Sequence, residues 1–556
     1  MEFASSEGPL SSMTFPRVGS GVKRAFLSSL WGALLCVACG SRSELFPGSV
    51  RGSTGGSGGM PPTPACTADF ECGESDACAV RQCVDGQCAL LQTFCDDGDA
   101  CTDNRCDPLL GCVFPDLTVD SDGDGFRAPR PGFAPGQPNA CGDDCDDRSG
   151  AAFPGNREQC DGVDNDCNGI VDDDMTYVAS KLAPVRVSTA EGNRASAGAI
   201  VGTPEGFVVS YSTVFKPPND SEKTRALIKG LRSDGSTRFE RIVSDINPDT
   251  YPGALAWSGQ VIANASSDAR QQGNYEIYLN RFDSIGEKLA ADQRVTDAPG
   301  FSKRPTIQWN RSEFVLAFDD RRLEGQAIGD RVGIYGQRIA PDGSLLGENV
   351  QLIDDGLVNE SPSLAVSPER IGVSYVVAPP SGMGSARLGV RVFDANLKEV
   401  GVPATLVGMD VQAPTLHFVG NRFIALWTLY PSSGLAGNAV WAAAFDVNGE
   451  LVLPPRPVTS GANFARFQDA LSLGDRLLVA WTDDHDGNFE VYWEILTPDL
   501  SVREARQRLT TTATPSLGPS LATGPDGKIG VYYEDSFEGS REAYFQTLEC
   551  GSRTMQ

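Results

Sequence analysis

The 556-residue chain carries 73 acidic against 46 basic side chains, a formal charge of −27, together with 16 Cys and two His. Such an acidic surface repels nucleic acid and anionic lipid headgroups and suits a secreted protein that collects divalent cations. His417 and His485 stand far apart, so neither a histidine metal cage nor a Ser-His-Asp arrangement is legible.

At the N-terminus, Arg17, Lys23 and Arg24 precede an uncharged apolar stretch, 25–38. This is the basic region and short apolar core of a secretory signal, too short to span a bilayer as a mature helix. It ends Leu34-Leu35-Cys36-Val37-Ala38-Cys39-Gly40-Ser41, which resembles the lipobox of bacterial lipoproteins, with Cys36 where Leu is usual. The resemblance implies removal of 1–38, lipidation of Cys39 and, with Gly40 following, an outer-membrane or cell-surface address with the membrane held through N-terminal lipid. No other segment is long and apolar enough to cross a bilayer. Residues 39–64 then form anchor and spacer, flexible through the Gly/Ser run at 52–59 and stiffer through the prolines at 61–64.

Fourteen cysteines remain for an oxidising compartment, where disulfides persist: Cys66, Cys72, Cys78, Cys83, Cys88, Cys95, Cys101, Cys106, Cys112, Cys141, Cys145, Cys160, Cys167 and Cys550. Up to seven bridges are expected, their connectivity open, with Cys550 a candidate partner for the cysteines near the front. In 65–115 the cysteines fall every five to seven residues with few large apolar residues between them, so disulfides must replace a core. The run Cys95-Asp-Asp-Gly-Asp-Ala-Cys101-Thr-Asp-Asn-Arg-Cys106-Asp-Pro-Leu-Leu-Gly-Cys112 resembles the slime-mould cysteine-rich repeat, which implies an extracellular spacing or adhesion module. Zinc is the rival reading of dense cysteines; the oxidising address favours bridges.

The next region, 116–176, repeats one acidic grammar. Asp120-Ser-Asp122-Gly-Asp124-Gly125 and Asp164-Asn-Asp166-Cys-Asn168-Gly169 place oxygen ligands at positions one, three and five and glycine at six, the front half of a calcium loop. Position twelve is Pro131 or Met175, so other acids must complete the sites. The candidates are Asp143, Asp144, Asp146, Asp147 and Asp172, with Asp172 assigned to the metal set. The stretch resembles the metal-binding motif of the MopE family through Cys145-Asp-Asp-Arg, Phe153-Pro-Gly and Glu158-Gln-Cys160-Asp-Gly-Val-Asp-Asn-Asp-Cys167-Asn-Gly. That family is named for copper, but the segment offers neither His nor Met before Met175 and its cysteines are expected to be paired, so its hard oxygens favour calcium.

From 177 onward, short apolar runs alternate with Gly, Pro and Asp turns. One strand type recurs at 207–211, 261–265, 314–318, 371–375, 423–427, 477–481 and 529–533, advancing by 54, 53, 57, 52, 54 and 52 residues. Hairpin turns such as Ser233-Asp-Gly235 and Asp446-Val-Asn-Gly449 fall between them. The period predicts a mainly β fold, a seven-bladed propeller over 177–556 behind the small disulfide-rich, metal-binding stalk. Val185-Arg-Val-Ser-Thr189 matches Gln293-Arg-Val-Thr296, Pro457-Val-Thr459 and Gln507-Arg-Leu-Thr510, and is expected to supply the last blade's missing strand. Tyr211, Phe318, Tyr375, Trp427, Trp481 and Tyr533 read as blade core; Asp268, Asp319, Asp320, Asp483, Asp484 and Asp535 read as turn caps.

Together these features predict a cell-envelope lipoprotein whose calcium-stabilised stalk displays a propeller for an extracellular glycan or protein, and not an enzyme. The alternatives are a glycoside hydrolase, which an acid pair in the central channel would favour, and an inert structural protein.

Overall fold

The computed structural model describes residues 65–552 apart from 162, 173–174, 189–194, 216–221, 245, 247–249, 272–273, 323–330, 380–384, 407–409, 431–436, 460–463 and 537–538. Cys39 lies outside the described residues. The described part divides into a small unit, 65–75 with 80–91, and a large one holding 76–79 and everything from 92 onward.

In the small unit a 3-10 turn, Asp69–Cys72, packs with a hairpin of strands Ala79–Val84 and Gln87–Gln92. Phe70 is 82% exposed and Leu90 and Leu91 are half-exposed, so almost nothing apolar is buried. The bridges Cys66–Cys83 and Cys72–Cys88 hold what a core would hold in a larger domain.

The large unit begins in the same manner, with Cys78–Cys106, Cys95–Cys112 and Cys101–Cys141 around a hairpin of Arg105–Asp107 and Gly111–Val113. It then becomes a propeller of seven antiparallel sheets, six of four strands and a last one of five. The innermost strands of blades 1 to 7 are Ala195–Thr203, Ala254–Trp257, Ser302–Trp309, Val358–Val366, Val411–Val419, Arg466–Leu473 and Leu517–Thr523, and each contacts the next until the seventh meets the first. The recurring strand of the sequence is the second of each blade, as in Phe314–Asp320, where every residue is buried between neighbouring blades. The six aromatics read as core are all buried to within 1%. Outermost strands such as Glu399–Leu406 show the exposed edge of the same gradient.

The hairpin turn before the outermost strand needs a left-handed residue. Gly235, Gly286, Gly343 and Gly449 supply it in four blades, and Leu397 (φ +62°) and Leu500 (φ +65°) in two. Both leucines are almost completely buried; packing outweighs backbone preference there. A second recurring feature is a β-bulge in the innermost strand. The ladder slips between Lys303 and Thr306, Glu360 and Ser363, Gln412 and Thr415, Arg466 and Asp469, and Leu517 and Ser520. Arg304, Ser361, Ala413, Phe467 and Gly518 there take positive φ, which re-aims side chains at that end of the blade.

The last blade comprises Leu517–Thr523, Ile529–Asp535 and Glu542–Ser552, and the N-terminal side of the chain completes it. Val185–Arg186 pairs with Tyr544 and Phe545, and Met175–Ala179, an additional segment, pairs with 548–552. The shared Arg-x-Thr/Ser sequence has a physical basis. In blade 2, Arg294 Nη2 reaches Glu276 Oε1 at 3.0 Å while Thr296 donates to the same buried carboxylate and accepts the Ile277 N–H at 2.9 Å. In blade 6, Arg508, Thr510, Glu490 and Val491 repeat this, with Arg508 Nη2 2.8 Å from Glu490 Oε1. In blade 7, Arg186, Ser188, Glu542 and Ala543 do the same across the closure, Arg186 Nη2 standing 2.6 Å from Glu542 Oε1. The N-terminal segments thereby cover the third strand of the last blade, whose edge would otherwise lie open. Its seam is tight: a Cβ on Gly202 of blade 1 would stand 1.7 Å from the Thr523 carbonyl oxygen of blade 7.

Candidate metal centre and propeller channel

The first acidic loop is shaped by its own carboxylates. Asp120 accepts the Gly123 and Gly125 N–H groups at 2.7 and 3.1 Å, and Gly123 and Gly125 take the left-handed conformation that the turn demands. Asp122 Oδ1 accepts the Asp124 N–H and Asp124 Oδ1 the Phe126 N–H. The second oxygens of Asp122 and Asp124 are buried without a hydrogen-bond partner. Asp120, Asp122 and Asp124 each offer an oxygen within 4.8 Å of the others'. Asp144 stands behind them, 1% exposed, with Oδ2 unpartnered. Burial pushes its carboxyl pKa up, reinforced by the charges of Asp124, Asp122 and Asp147. Asp147 holds Ser121 through its N–H and hydroxyl, Asp146 faces Arg148 at 3.6 Å, and Asp143 is exposed.

In the second loop Asp164 accepts the N–H groups of Asn168 and Gly169 at 3.1 and 2.8 Å, and Asp166 accepts from Asn168 through backbone and side chain. The residue that joins Asp164 and Asp166 is Glu158. Its Oε1 accepts the Asp166 N–H at 2.9 Å, whereas Oε2 is buried and unpartnered, with the residue 5% exposed. Asn168 spends its Oδ1 on the Ile170 N–H.

Asp172 goes elsewhere: its Oδ2 is ion-paired with Arg476 Nη2 of blade 6, and both side chains are sealed from solvent. The loop spacing pointed forward to Asp172, but the acid that lies beside Asp164 and Asp166 precedes the loop. The available signal was Glu158 itself, an acid just ahead of the Cys160-Asp-Gly turn. Cys145–Cys167 staples the two loops together, Phe126 stacks on Phe153 at 5.3 Å, and Cys160–Cys550 ties the second loop to blade 7. With these two, all fourteen cysteines form seven bridges, so neither cysteine-containing cluster of potential ligands offers a thiolate. Gly527 (φ +65°) packs so close to Cys160 that a Cβ would lie 2.0 Å from its carbonyl oxygen.

The buried, unpartnered carboxylate oxygens fit a cation. Asp120, Asp122 and Asp124 would hold it in the first loop, with Asp144 near enough to feel the charges of Asp122 and Asp124, and Glu158 with Asp164 and Asp166 in the second. Every donor in the two sets is a hard oxygen.

The innermost strands enclose a channel of about 500 Å³ with polar side chains such as Thr306, Gln308, Ser363 and Ser520 on its wall. It also holds His417 and Asp469. Burial pushes the Asp469 carboxyl up to about 6, against the Leu521 N–H it accepts at 2.9 Å, and burial pulls His417 down to about 4. The signs oppose. Above pH 4 an Asp469 that resists ionisation makes stability fall until about pH 6, whereas a His417 that resists protonation makes stability rise from about pH 4 to 6.5. Urea unfolding across that window is expected to give a flatter pH profile for the parent protein than for Asp469→Asn, which should gain stability as pH rises, or His417→Gln, which should lose it. Identical slopes in all three would contradict this balance.

Among the acids after the second strands, Asp268 and Asp320 bind Arg270 and Arg322, and Asp535 accepts from Thr512, Thr514 and Ser516. They tie blade ends together, and Arg322 is committed to Asp320 and to the Tyr335 ring.

The Cu-binding MopE family, a metal-binding motif, matches residues 144–173. The match includes Asp144, Glu158 and the second loop and begins after the first. No curated protein matches the chain. Among solved structures, a puromycin-hydrolysing peptidase of Mycobacterium tuberculosis is similar at 12% identity over 63% of this chain and 53% of its own, with a TM-score of 0.37. Trypanosoma rangeli sialidase is similar at 10% identity over 64% and 59%, TM-score 0.36. An endo-arabinase from Bacteroides thetaiotaomicron is similar at 11% identity over 47% and 94%, TM-score 0.30. The chain thus spans about half the length of the peptidase and under two thirds of that of the sialidase.

Proposed function

We propose that this chain is an extracytoplasmic binding protein of a bacterial cell envelope, anchored by lipid on Cys39, in which calcium sets the acidic segment that seals a recognition propeller. The observation that carries the metal reading is that each acidic loop is backed by one almost fully buried carboxylate, Asp144 or Glu158, with an oxygen left unpartnered. Leaving such oxygens desolvated costs on the order of 1–3 kcal/mol each, a cost that a divalent cation removes. Binding in preference to hydrolysis is supported by the channel, where Asp469 is the one carboxylate on the described wall; a two-carboxylate displacement has no partner for it there. The anchor rests on the Leu35-to-Ser41 sequence, and the mass of the mature N-terminal peptide reads it directly.

Calcium titrated calorimetrically into metal-stripped whole protein is expected to bind, and to raise Tm, because a ligand at a hundredfold excess over Kd stabilises by about 2.7 kcal/mol. Glu158→Gln should abolish the second site and Asp144→Asn weaken the first. A preference for copper, or calcium binding indifferent to both substitutions, would overturn the assignment.

A further inference from the structure

We propose that a pocket at the end of blade 3 binds the carboxylate-bearing sugar ring of an acidic polysaccharide, an inference that rests on the binding role proposed above. Three aromatic rings run in a row there, Tyr251 to Tyr275 at 5.7 Å between centroids and Tyr275 to Phe301 at 5.9 Å. Tyr251 is 50% and Phe301 39% exposed, so they present faces to solvent where core aromatics of this propeller present none. Lys303 holds its ammonium 4.2 Å over Tyr275 and 4.6 Å over Phe301. Next to it the bulge turns Arg304 to φ +50°, with its guanidinium 2.5 Å from Asp319 and also paired with Glu360. Phe301, Lys303, Arg304, Asp319 and Arg321 enclose about 230 Å³.

That wall carries three cations and one carboxylate, and Glu360 beside it pairs with Arg304, so the corner keeps a net charge of about +1 in a chain of net charge −27 and favours an anionic group. Burial and the nearby arginines Arg321 and Arg304 hold the Lys303 ammonium below its usual pKa, the situation that an incoming carboxylate relieves. The volume lies below the several hundred Å³ of drug-sized sites, and open rings beside it suit the flat apolar face of a pyranose.

The same corner is furnished again between blades 6 and 7. Phe489 precedes buried Glu490 as Tyr275 precedes buried Glu276, and Glu534 precedes Asp535 as Asp319 precedes Asp320. There Arg466 lies 4.4 Å over Phe489, and with Arg541 it lines about 240 Å³. The repeats keep ring, cation and acid while changing the residues that supply them.

The test is calorimetric titration of calcium-loaded whole protein with oligomers of galacturonate, glucuronate and guluronate, their methyl-esterified counterparts, and a glutamate-terminated peptide. At least one free-acid oligomer should bind at least tenfold more tightly than its ester, and Phe301→Ala and Lys303→Gln should each weaken it about tenfold with Tm unchanged. Equal binding of acid and ester, tighter binding of the peptide, or indifference to both substitutions overturns the site. Acid-oligomer binding that survives both substitutions would leave the binding role standing and this site alone refuted. An absence of binding to every probe removes the site, and a glycan or envelope-protein pull-down then decides the broader role separately.

Discussion

Arg476→Met is expected to destabilise the protein by about 3–5 kcal/mol, the usual cost of removing one partner from a buried ion pair. Arg476 opens the second strand of blade 6 and is fully buried, as is Asp172 opposite it. Removing the guanidinium strands a carboxylate where water cannot follow. Tyr177, buried beside the pair, has a phenol pushed up to about 12 chiefly by burial and then by Asp172, which Arg476 partly offsets; it offers no compensation for the lost charge. Adding Asp172→Leu should restore most of the loss, because an apolar pair of similar volume avoids the desolvation altogether. Chemical denaturation of the two single variants and the double variant closes the cycle. Additive losses would mean that the pair is not coupled.

The Cys160→Ser, Cys550→Ser double variant should lose a similar amount by a different route. The bridge closes a separation of 390 residues, against 16 to 40 for the other six. By loop-closure entropy a bridge of that span stabilises by roughly 5 kcal/mol or somewhat more, where short loops give about 3. The cross-link joins the two ends of the propeller, and what it suppresses in the unfolded chain is their separation. Denaturant unfolding of the double variant, with both thiols removed to avoid exchange, measures this. A loss under about 1 kcal/mol would show that the paired strands alone hold the ring shut.

The propeller was legible in the sequence because a blade's second strand is buried on both faces and must be apolar throughout. Seven such runs at a fifty-residue period admit few other readings. The closing segment was legible through Arg186 and Ser188, whose roles match those of Arg294 with Thr296 and Arg508 with Thr510. Met175–Ala179 was not, since it follows the acidic loop directly and carries no repeat signature. The two acidic loops announced themselves through Asp and Gly at alternate positions, a local constraint. Asp172, expected in the metal set, pairs with Arg476, and Glu158, to which the sequence assigned no role, lies beside Asp164 and Asp166, because such juxtapositions depend on tertiary approach: the Cys160–Cys550 and Arg476–Asp172 contacts hold the chain after the second loop against blades 6 and 7. Disulfide connectivity stayed open for the same reason, and so did the row of Tyr251, Tyr275 and Phe301, drawn from two blades and the strands between them.

The Cys160–Cys550 bond also decides how the molecule carries mechanical tension. A pull arriving from the N-terminal side reaches Cys160 before it reaches Met175–Ala179 or Val185–Arg186, and crosses directly into the third strand of blade 7 at Cys550. The strands that seal the ring lie outside this load path, so force cannot peel them from their partner while the bond is intact. Reduction would reroute the same pull through Met175 and open the ring from its edge, one hydrogen bond at a time.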